Sequence, residues 1–320
     1  MRATAAGDGP AGPPRGGAAG PTVAGLDIGG TKISAGLVGA DGWLGRVVTV
    51  PTPAAQGPAA VIEAAAAAVR ALDGRPVAVG VGSAGVIDPA GGYVLSATDA
   101  LPGWAGTDLR GALRGLLGVP VAVDNDVHAH ALGESWTGAA AGRRSVLLVA
   151  VGTGVGGSLV LDGRIHHGAH AAAGHVGHVP SAAAAGLDCT CGGTGHLEVV
   201  ASGPALLAEY LRRGGVPGTR RLDEVATAAE AGDEPARAVL AAGATALGRA
   251  VGGLANVLDP DVVLIGGGVS RCGESWWGPL RAAVEAELLP PLRGLAVRPG
   301  ALGQSAAVVG AARLGWAVAA

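Results

Sequence analysis

Phenylalanine is absent from the 320 residues, lysine occurs once, asparagine stands only at positions 125 and 256, and there are three cysteines. Three cysteines, two of them separated by one residue, do not make a disulfide framework. A net charge of −3 provides no basic field, the electrostatic footprint of a nucleic-acid binder. No segment supplies an uninterrupted apolar run of membrane-spanning length. Residues 1–21, rich in Gly, Pro and Ala, lack the apolar stretch of a signal peptide and are expected to be disordered. These absences support a cytoplasmic protein with neither a membrane nor a nucleic-acid partner. Arginine carries the remaining basic charge, and the excess of Ala, Gly, Val, Pro and Arg looks like nucleotide-composition bias. Rare residue types are therefore more informative than common ones.

The one lysine ends the run Gly25-Leu26-Asp27-Ile28-Gly29-Gly30-Thr31-Lys32, after an apolar strand. Glycines there allow a tight turn whose backbone N–H groups face an anion, with no Cβ to block its approach. Asp27 stands at the mouth of that turn, where a carboxylate can hold a divalent cation against phosphate oxygens. An ordinary Gly-Gly hairpin turn is the alternative. A second copy favours the phosphate reading. Val146 to Val151 is an apolar strand, Gly152-Thr153-Gly154-Val155-Gly156-Gly157 a glycine turn, Ser158 to Leu161 a further strand, and Asp162-Gly163 the closure. The first copy closes alike, at Asp41-Gly42. Two copies of one strand-turn-strand device, about a domain length apart, imply two related lobes with a phosphate loop each.

The length suits roughly two domains. Strands at 46–50, 76–81 and 119–123, with helices at 57–72 and from 127 to about 136, predict a mixed sheet under helical cover. The second lobe continues through a His/Gly/Cys-rich loop (166–198), helices near 198–213 and 234–256, and a strand at 261–265. The expected division is 22–125 and 126–303, with a final helix (about 304–320) folding back onto the first lobe.

Asp124-Asn125-Asp126 falls at a strand-to-helix junction, where a carboxylate can point into a crevice and act as a general base. Capping of the following helix by Asn125 or Asp126 is the alternative. Five of the eight histidines lie between His166 and His178, ahead of Cys189-Thr190-Cys191 and His196. A Cys-x-Cys pair with nearby histidines, in a loop too glycine-rich to pack itself, suggests tetrahedral zinc held by His178, Cys189, Cys191 and His196. Two reduced thiols among solvated histidines are the alternative. Gly266 and Gly267, after a third strand, would let a nucleobase or ribose lie against the backbone, or would simply open a helix.

Together these motifs resemble those of the ROK family (repressor, open reading frame, kinase), among the actin/hexokinase-like sugar kinases, over nearly the whole chain from residue 22. Asp27 to Lys32 is similar to its first phosphate motif and Gly152 to Gly157 to its second. Asn125-Asp126 resembles its catalytic pair, and Gly174-His175-Val176-Gly177-His178 with Cys189-Thr190-Cys191-Gly192 its sugar-and-zinc signature. The resemblance implies a two-lobed actin-like ATPase fold, α/β with duplicated ribonuclease H-like lobes, mixed sheets flanked by helices and an interlobe cleft. It further implies phosphorylation of a hexose 6-hydroxyl with Asp126 as base, ATP, Mg²⁺ and structural Zn²⁺ as cofactors, and a homodimer or homotetramer. Sugar contacts would come from Gly85, Asp99, Asn125, His175, His178 and Glu198. Nucleotide and Mg²⁺ contacts would come from Asp27, Gly29, Gly30, Thr31, Lys32, Gly152, Thr153, Gly154, Gly156, Gly266 and Gly267.

The chain also departs from the family pattern. His175 stands where Glu is common, as in bacterial N-acetylmannosamine kinases, and Pro51 to Gln56 and Ser83-Ala84-Gly85 look like that subgroup too. Asp99-Ala100 precede Leu101-Pro102-Gly103-Trp104 where Asn is usual, and His196 replaces a zinc Cys. A Glu-to-His change replaces an acceptor-only anion by a group that can also donate, which an N-acetyl carbonyl accepts. N-Acetylmannosamine is thus the expected acceptor, ahead of glucose. A non-catalytic sugar sensor or transcriptional regulator is the alternative from another class. Regulators of the family carry an N-terminal winged helix that a 21-residue leader is not expected to form.

Overall fold

The computed structural model describes residues 20–98 and 100–319, so Asp99 and all of the expected leader except Gly20 and Pro21 lie outside the described residues. The first sheet opens with an antiparallel meander of β1 (Val23–Ile28), β2 (Lys32–Val38) and β3 (Leu44–Pro51). β1 and β2 are near-continuous apolar runs because both faces of this sheet are covered. Helix α1 (Pro58–Arg70) starts on a proline, whose missing N–H is not needed in a first turn, and buries Val61, Ile62, Ala65 and Val69. β4 (Val79–Ser83) pairs parallel with β1. A small hairpin, β5 (Val86–Asp88) with β6 (Tyr93–Ser96), and helix α2 (Leu109–Leu117) lead to β7 (Val121–Asn125), parallel with β4. Helix α3 (Asp126–Trp136) then leaves the sheet.

The second sheet repeats the plan. Its meander is β8 (Val146–Val151), β9 (Val155–Leu161) and β10 (Arg164–Ile165). Helices α4 (Glu198–Ala201), α5 (Gly203–Arg212), α6 (Leu222–Glu230) and α7 (Glu234–Leu258) precede β11 (Val262–Gly266). Helix α8 (Glu274–Glu287), β12 (Val297–Pro299) and α9 (Ala306–Trp316) complete the chain. Strand order is β3-β2-β1-β4-β7 in one sheet and β10-β9-β8-β11-β12 in the other, with the same sense at each pairing. The internal duplication therefore extends from the two turns to the whole sheet.

Alternation along β8 divides two cores. Leu147 and Val149 face α5 to α8, whereas Val146 and Leu148 share a cluster with Ala131 of α3. α9 lies on the first sheet, α3 against the second, and the two helices pack together between the sheets. That layer depends on glycine. A Cβ on Gly80 of β4 would stand 1.6 Å from the Ala311 carbonyl oxygen, and one on Gly310 of α9 would stand 1.7 Å from that of Ala129. Backbone meets backbone here, and no side chain fits.

Several elements differ from the sequence reading. The strands expected at 76–81 and 119–123 begin later, at Val79 and Val121, beyond Pro76 and Pro120, which have no N–H to give a ladder. The helix expected over 198–213 breaks at Ser202, whose hydroxyl caps α5 through Ala205 N at 3.4 Å. The β5–β6 hairpin, α2, α6, α8 and β12 were not anticipated. Among the described residues α7 alone is long and apolar enough to cross a membrane by length and composition, although Arg237 and Arg249 interrupt its apolar run. Its Val239, Leu240, Leu247 and Val251 are buried in the second core.

Candidate active site

Parallel pairing aligns the carboxyl ends of three strands. Ile28 of β1 is level with Ser83 of β4, and Ser83 with Asn125 of β7. The Gly29–Thr31 turn, the Ser83–Gly85 bend and the Asn125–Asp126 junction therefore share one sheet edge, the edge where open α/β sheets bind ligands. In the second sheet Gly266 of β11 is level with Ala150 of β8, so the turns after those strands share the matching edge. Gly267, at φ +83°, lies so close that a Cβ would be 2.2 Å from the Val151 carbonyl oxygen. The two edges approach at the start of α3. A Cβ on Gly156 would be 3.0 Å from Val127 Cγ2, and one on Gly82 would be 3.3 Å from Asp126 Cα.

Asn125, not Asp126, caps α3. Its Oδ1 accepts from Val127 N at 2.9 Å and His128 N at 3.2 Å, and its Nδ2 donates to the Gly85 carbonyl and to Asp126 Oδ1, both at 2.9 Å. Asp126 is thereby the first helical residue, and its charge has the support of the Val127 N–H and the helix N-terminus. Burial outweighs that support and pushes its pKa above the usual carboxylate range. Asp27 rises to about 7, first through burial and then through the negative charge of Asp126, with Lys32 opposing. The two carboxylates thus sense one another in one cleft, an arrangement receptive to a proton or a divalent cation.

The first turn is held by Gly29 N donating to the Lys32 carbonyl at 3.0 Å and by Thr52 Oγ1 donating to the Gly29 carbonyl at 2.7 Å. Lys32 is exposed, and its Nζ donates to Gln304 Oε1 at 3.0 Å, just ahead of α9. In the second turn Gly152 N donates to the Gly154 carbonyl at 2.9 Å, and Gly203 N at the start of α5 to the Gly152 carbonyl at 2.8 Å. Thr153 is exposed at its tip. Glu198 Oε2 accepts from Val155 N at 2.8 Å and so ties α4 to this turn.

The four expected metal ligands come together. One donor atom each from His178, Cys189, Cys191 and His196 lies within 4.8 Å of all the others. Cys189 Sγ faces His178 Nδ1 at 3.8 Å and Cys191 Sγ faces His196 Nδ1 at 3.2 Å. Cys189 N donates to the Gly193 carbonyl at 2.8 Å, folding the Cys-x-Cys segment on itself. Burial lowers the pKa of His178, which favours the neutral imidazole a metal needs. Two thiols and two imidazoles are a donor set that suits zinc.

His175 stacks on His178 at 6.3 Å between ring centroids, and its Nδ1 lies 2.9 Å from the Ala172 carbonyl oxygen. A carbonyl only accepts, so Nδ1 carries a proton, and in the neutral tautomer with that proton Nε2 is an acceptor. The Nδ1–H, one of the donors the sequence offered, is thereby bonded within the loop. His128 escaped the sequence reading, and Asp124 and His167 stood there only within the acid run and the histidine cluster, with no role of their own. Asp124 is buried, its two oxygens lie 2.8 Å from His128 Nδ1 and from His167 Nε2, and its pKa falls to about 2 because those two bonds outweigh burial. The Asp-to-His spacing of four across the strand–helix junction was visible in the sequence; nothing local pointed to His167.

The sequence profile of the ROK family matches residues 23–317. A glucokinase of Halalkalibacterium halodurans is 34% identical over 318 residues, covering 92% of this chain and 94% of the relative. An N-acetylmannosamine kinase of Escherichia coli is 33% identical over 248 residues, covering 78% of this chain and 83% of the relative. The crystal structure of a ROK family glucokinase from Streptomyces griseus, in complex with glucose and AMPPNP, matches with a TM-score of 0.81 at 32% identity, over 92% of this chain and 99% of that one.

Proposed function

This chain belongs to the ROK family, and on that premise we propose that it phosphorylates the 6-hydroxyl of N-acetylmannosamine with ATP. It is a hexose kinase of the ROK type with an actin-like, two-lobed fold. The observation that carries the kinase chemistry is the approach of both sheet edges, with their glycine turns, to Asp126 at the start of α3. In this reading Asp126 takes the hydroxyl proton as the sugar oxygen bonds to the γ-phosphorus and the bond to the ADP oxygen breaks. Asn125 holds the base and the Gly85 carbonyl in fixed relation. The free amides of the two turns, with Gly266 and Gly267 beside the second, receive the nucleotide, and Asp27 is the carboxylate placed to hold Mg²⁺. Such transfer depends mainly on positioning and on charge stabilisation. His178, Cys189, Cys191 and His196 would hold zinc, which supplies a staple that fixes the loop carrying His175 and His178.

His175 supports the acceptor assignment. Its Nε2 offers one neutral acceptor in place of a carboxylate, suited to the N–H of a 2-acetamido group. Glu198, tied to the second turn, would contribute a further sugar contact. Glucose is the second reading, favoured by the relatives named glucokinase that cover more than nine-tenths of this chain. We assign 22–125 with the C-terminal helix to one lobe and 126–303 to the other, in a cytoplasmic homodimer or homotetramer.

A coupled ADP-release assay over N-acetylmannosamine, glucose, N-acetylglucosamine and fructose tests the assignment. A kcat/KM for N-acetylmannosamine at least about tenfold above that for glucose is expected. The reverse order moves the assignment to glucose, and no turnover of any sugar overturns the kinase reading for this chain.

A further inference from the structure

We propose that Asp124, His128 and His167 form a latch that fixes the sugar-facing loop to the base-carrying junction, making His167 a positioning residue for the hexose. The proposal rests on the kinase reading above. Asp124 is the penultimate residue of β7 and is only 2% exposed. Its Oδ1 accepts from His128 Nδ1 and from Asn125 N, both at 2.8 Å, and its Oδ2 accepts from His167 Nε2 at 2.8 Å. The far side of the His128 ring continues the chain of contacts, with Nε2 3.3 Å from the Ala173 carbonyl oxygen.

The latch therefore grips the loop through the His167 side chain, with the Ala173 carbonyl lying against the far edge of the His128 ring. His167 and Ala173 form the neck of a small closed loop, because Ala173 N donates to the His167 carbonyl at 3.1 Å. Within it Ala171 has φ 55°, a left-handed conformation that an alanine keeps only where the surroundings enforce it. The offsets are what connect this device to the reaction. Asp124 is two residues before Asp126, and Ala173 is two residues before His175. Whatever fixes residue 124 to residues 167 and 173 thus fixes the base relative to His175, the residue proposed to meet the sugar's 2-acetamido group.

Asp124 from β7 and His128 from α3 are the ionisable groups that face His167, the two rings meeting edge to face at 5.1 Å. Asp124 raises the pKa of His167. The charge-assisted latch is therefore strongest below that raised value and weakens as pH rises through it. The same three side chains also have the composition of a metal site, with donor atoms within 4.8 Å of one another. The one-to-one facing of each carboxylate oxygen with a ring nitrogen is instead the pattern of paired hydrogen bonds.

The test compares His167→Ala and His167→Gln with the wild-type full chain. It uses steady-state kinetics over about pH 6 to 9, hydrogen–deuterium exchange and metal analysis. His167→Ala should raise the hexose KM about tenfold, leave the ATP KM within about twofold, and speed exchange at amides 168–175. His167→Gln retains a donor for Asp124 and should recover most of the hexose affinity while flattening its pH dependence. Unchanged hexose KM and exchange in His167→Ala would overturn the proposal. So would parallel losses in both KM values and in melting temperature, the sign of a merely structural role. A second zinc equivalent present in wild type and lost in His167→Ala would also overturn it, in favour of a metal site. If the wild type phosphorylates no hexose, the kinase reading fails, and the exchange measurement still decides whether the latch exists.

Discussion

The two glycine turns share a backbone plan and differ in charge. The first is bracketed by Asp27 and Lys32, whereas no ionisable residue lies between Val146 and Leu161 around the second. The second turn has an acid only by borrowing Glu198, through the Val155 N–H. They also differ in packing. A Cβ on Gly30 would meet Ala100 Cβ at 3.0 Å, while one on Gly152 would meet nothing within 4 Å. One duplicated device has thus become a packed turn with ionisable residues of its own and an open turn that has none. Asp126 stands at the junction both turns approach, so it is the first place to break the comparison.

Asp126→Asn should lower kcat by about 10²–10⁴-fold while calorimetry shows hexose binding nearly intact. The substitution keeps an Oδ1 that can accept from Asn125 Nδ2 and Val127 N, so the cap of α3 survives. Turnover within about tenfold of wild type would remove Asp126 from the role of base.

The next largest effect separates the turns from each other. Gly152→Ala adds a methyl group to open space at a position without a positive φ, so the melting temperature should hold. The same methyl would stand where the proposed nucleotide approaches, and the ATP KM should rise about tenfold or more. Gly30→Ala pushes on Ala100 and should lose stability and activity together, with about 1–3 kcal/mol of destabilisation in denaturant titrations. If Gly152→Ala changes neither KM, the second turn is only a hairpin.

The same contrast explains what the sequence disclosed. Lys32, Asn125 and the Cys/His group are rare residue types in a biased composition, and each, like Asp126, sits in a short-range pattern of strand, turn and cap. The duplicated sheet followed from such local patterns. α2, α6 and α8 did not, because the chain's abundant Ala and Gly blur the helical period, and α8 carries Gly278 and Pro279 within its span. Packing inverts the usual rule as well. In the layer between the sheets the close-contact residues are Gly80, Gly133 and Gly310, which a hydrophobic pattern counts as gaps. The Asp124–His167 bond joins residues 43 apart in sequence, a pairing that only the folded sheet makes.

The smallest predicted effect sharpens the charge difference between the turns. With its pKa at about 7, Asp27 is about half protonated at neutral pH in the free protein. If its carboxylate form holds Mg²⁺, kcat/KM for ATP at saturating hexose should rise with pH through about 7 and then level, since the active form predominates above the pKa. The second turn contributes no such limb, having no ionisable residue of its own. Asp27→Asn should flatten the profile as well as lower activity. Part of the upward shift comes from the charge of Asp126, so Asp126→Asn should let Asp27 titrate lower. Mg²⁺–nucleotide affinity, measurable by calorimetry without turnover, should then fall less between pH 8 and pH 6 in Asp126→Asn than in wild type, by about two- to threefold. Equal losses in both proteins would mean that the two carboxylates do not share a cleft, and the charged turn would no longer be tied to the base.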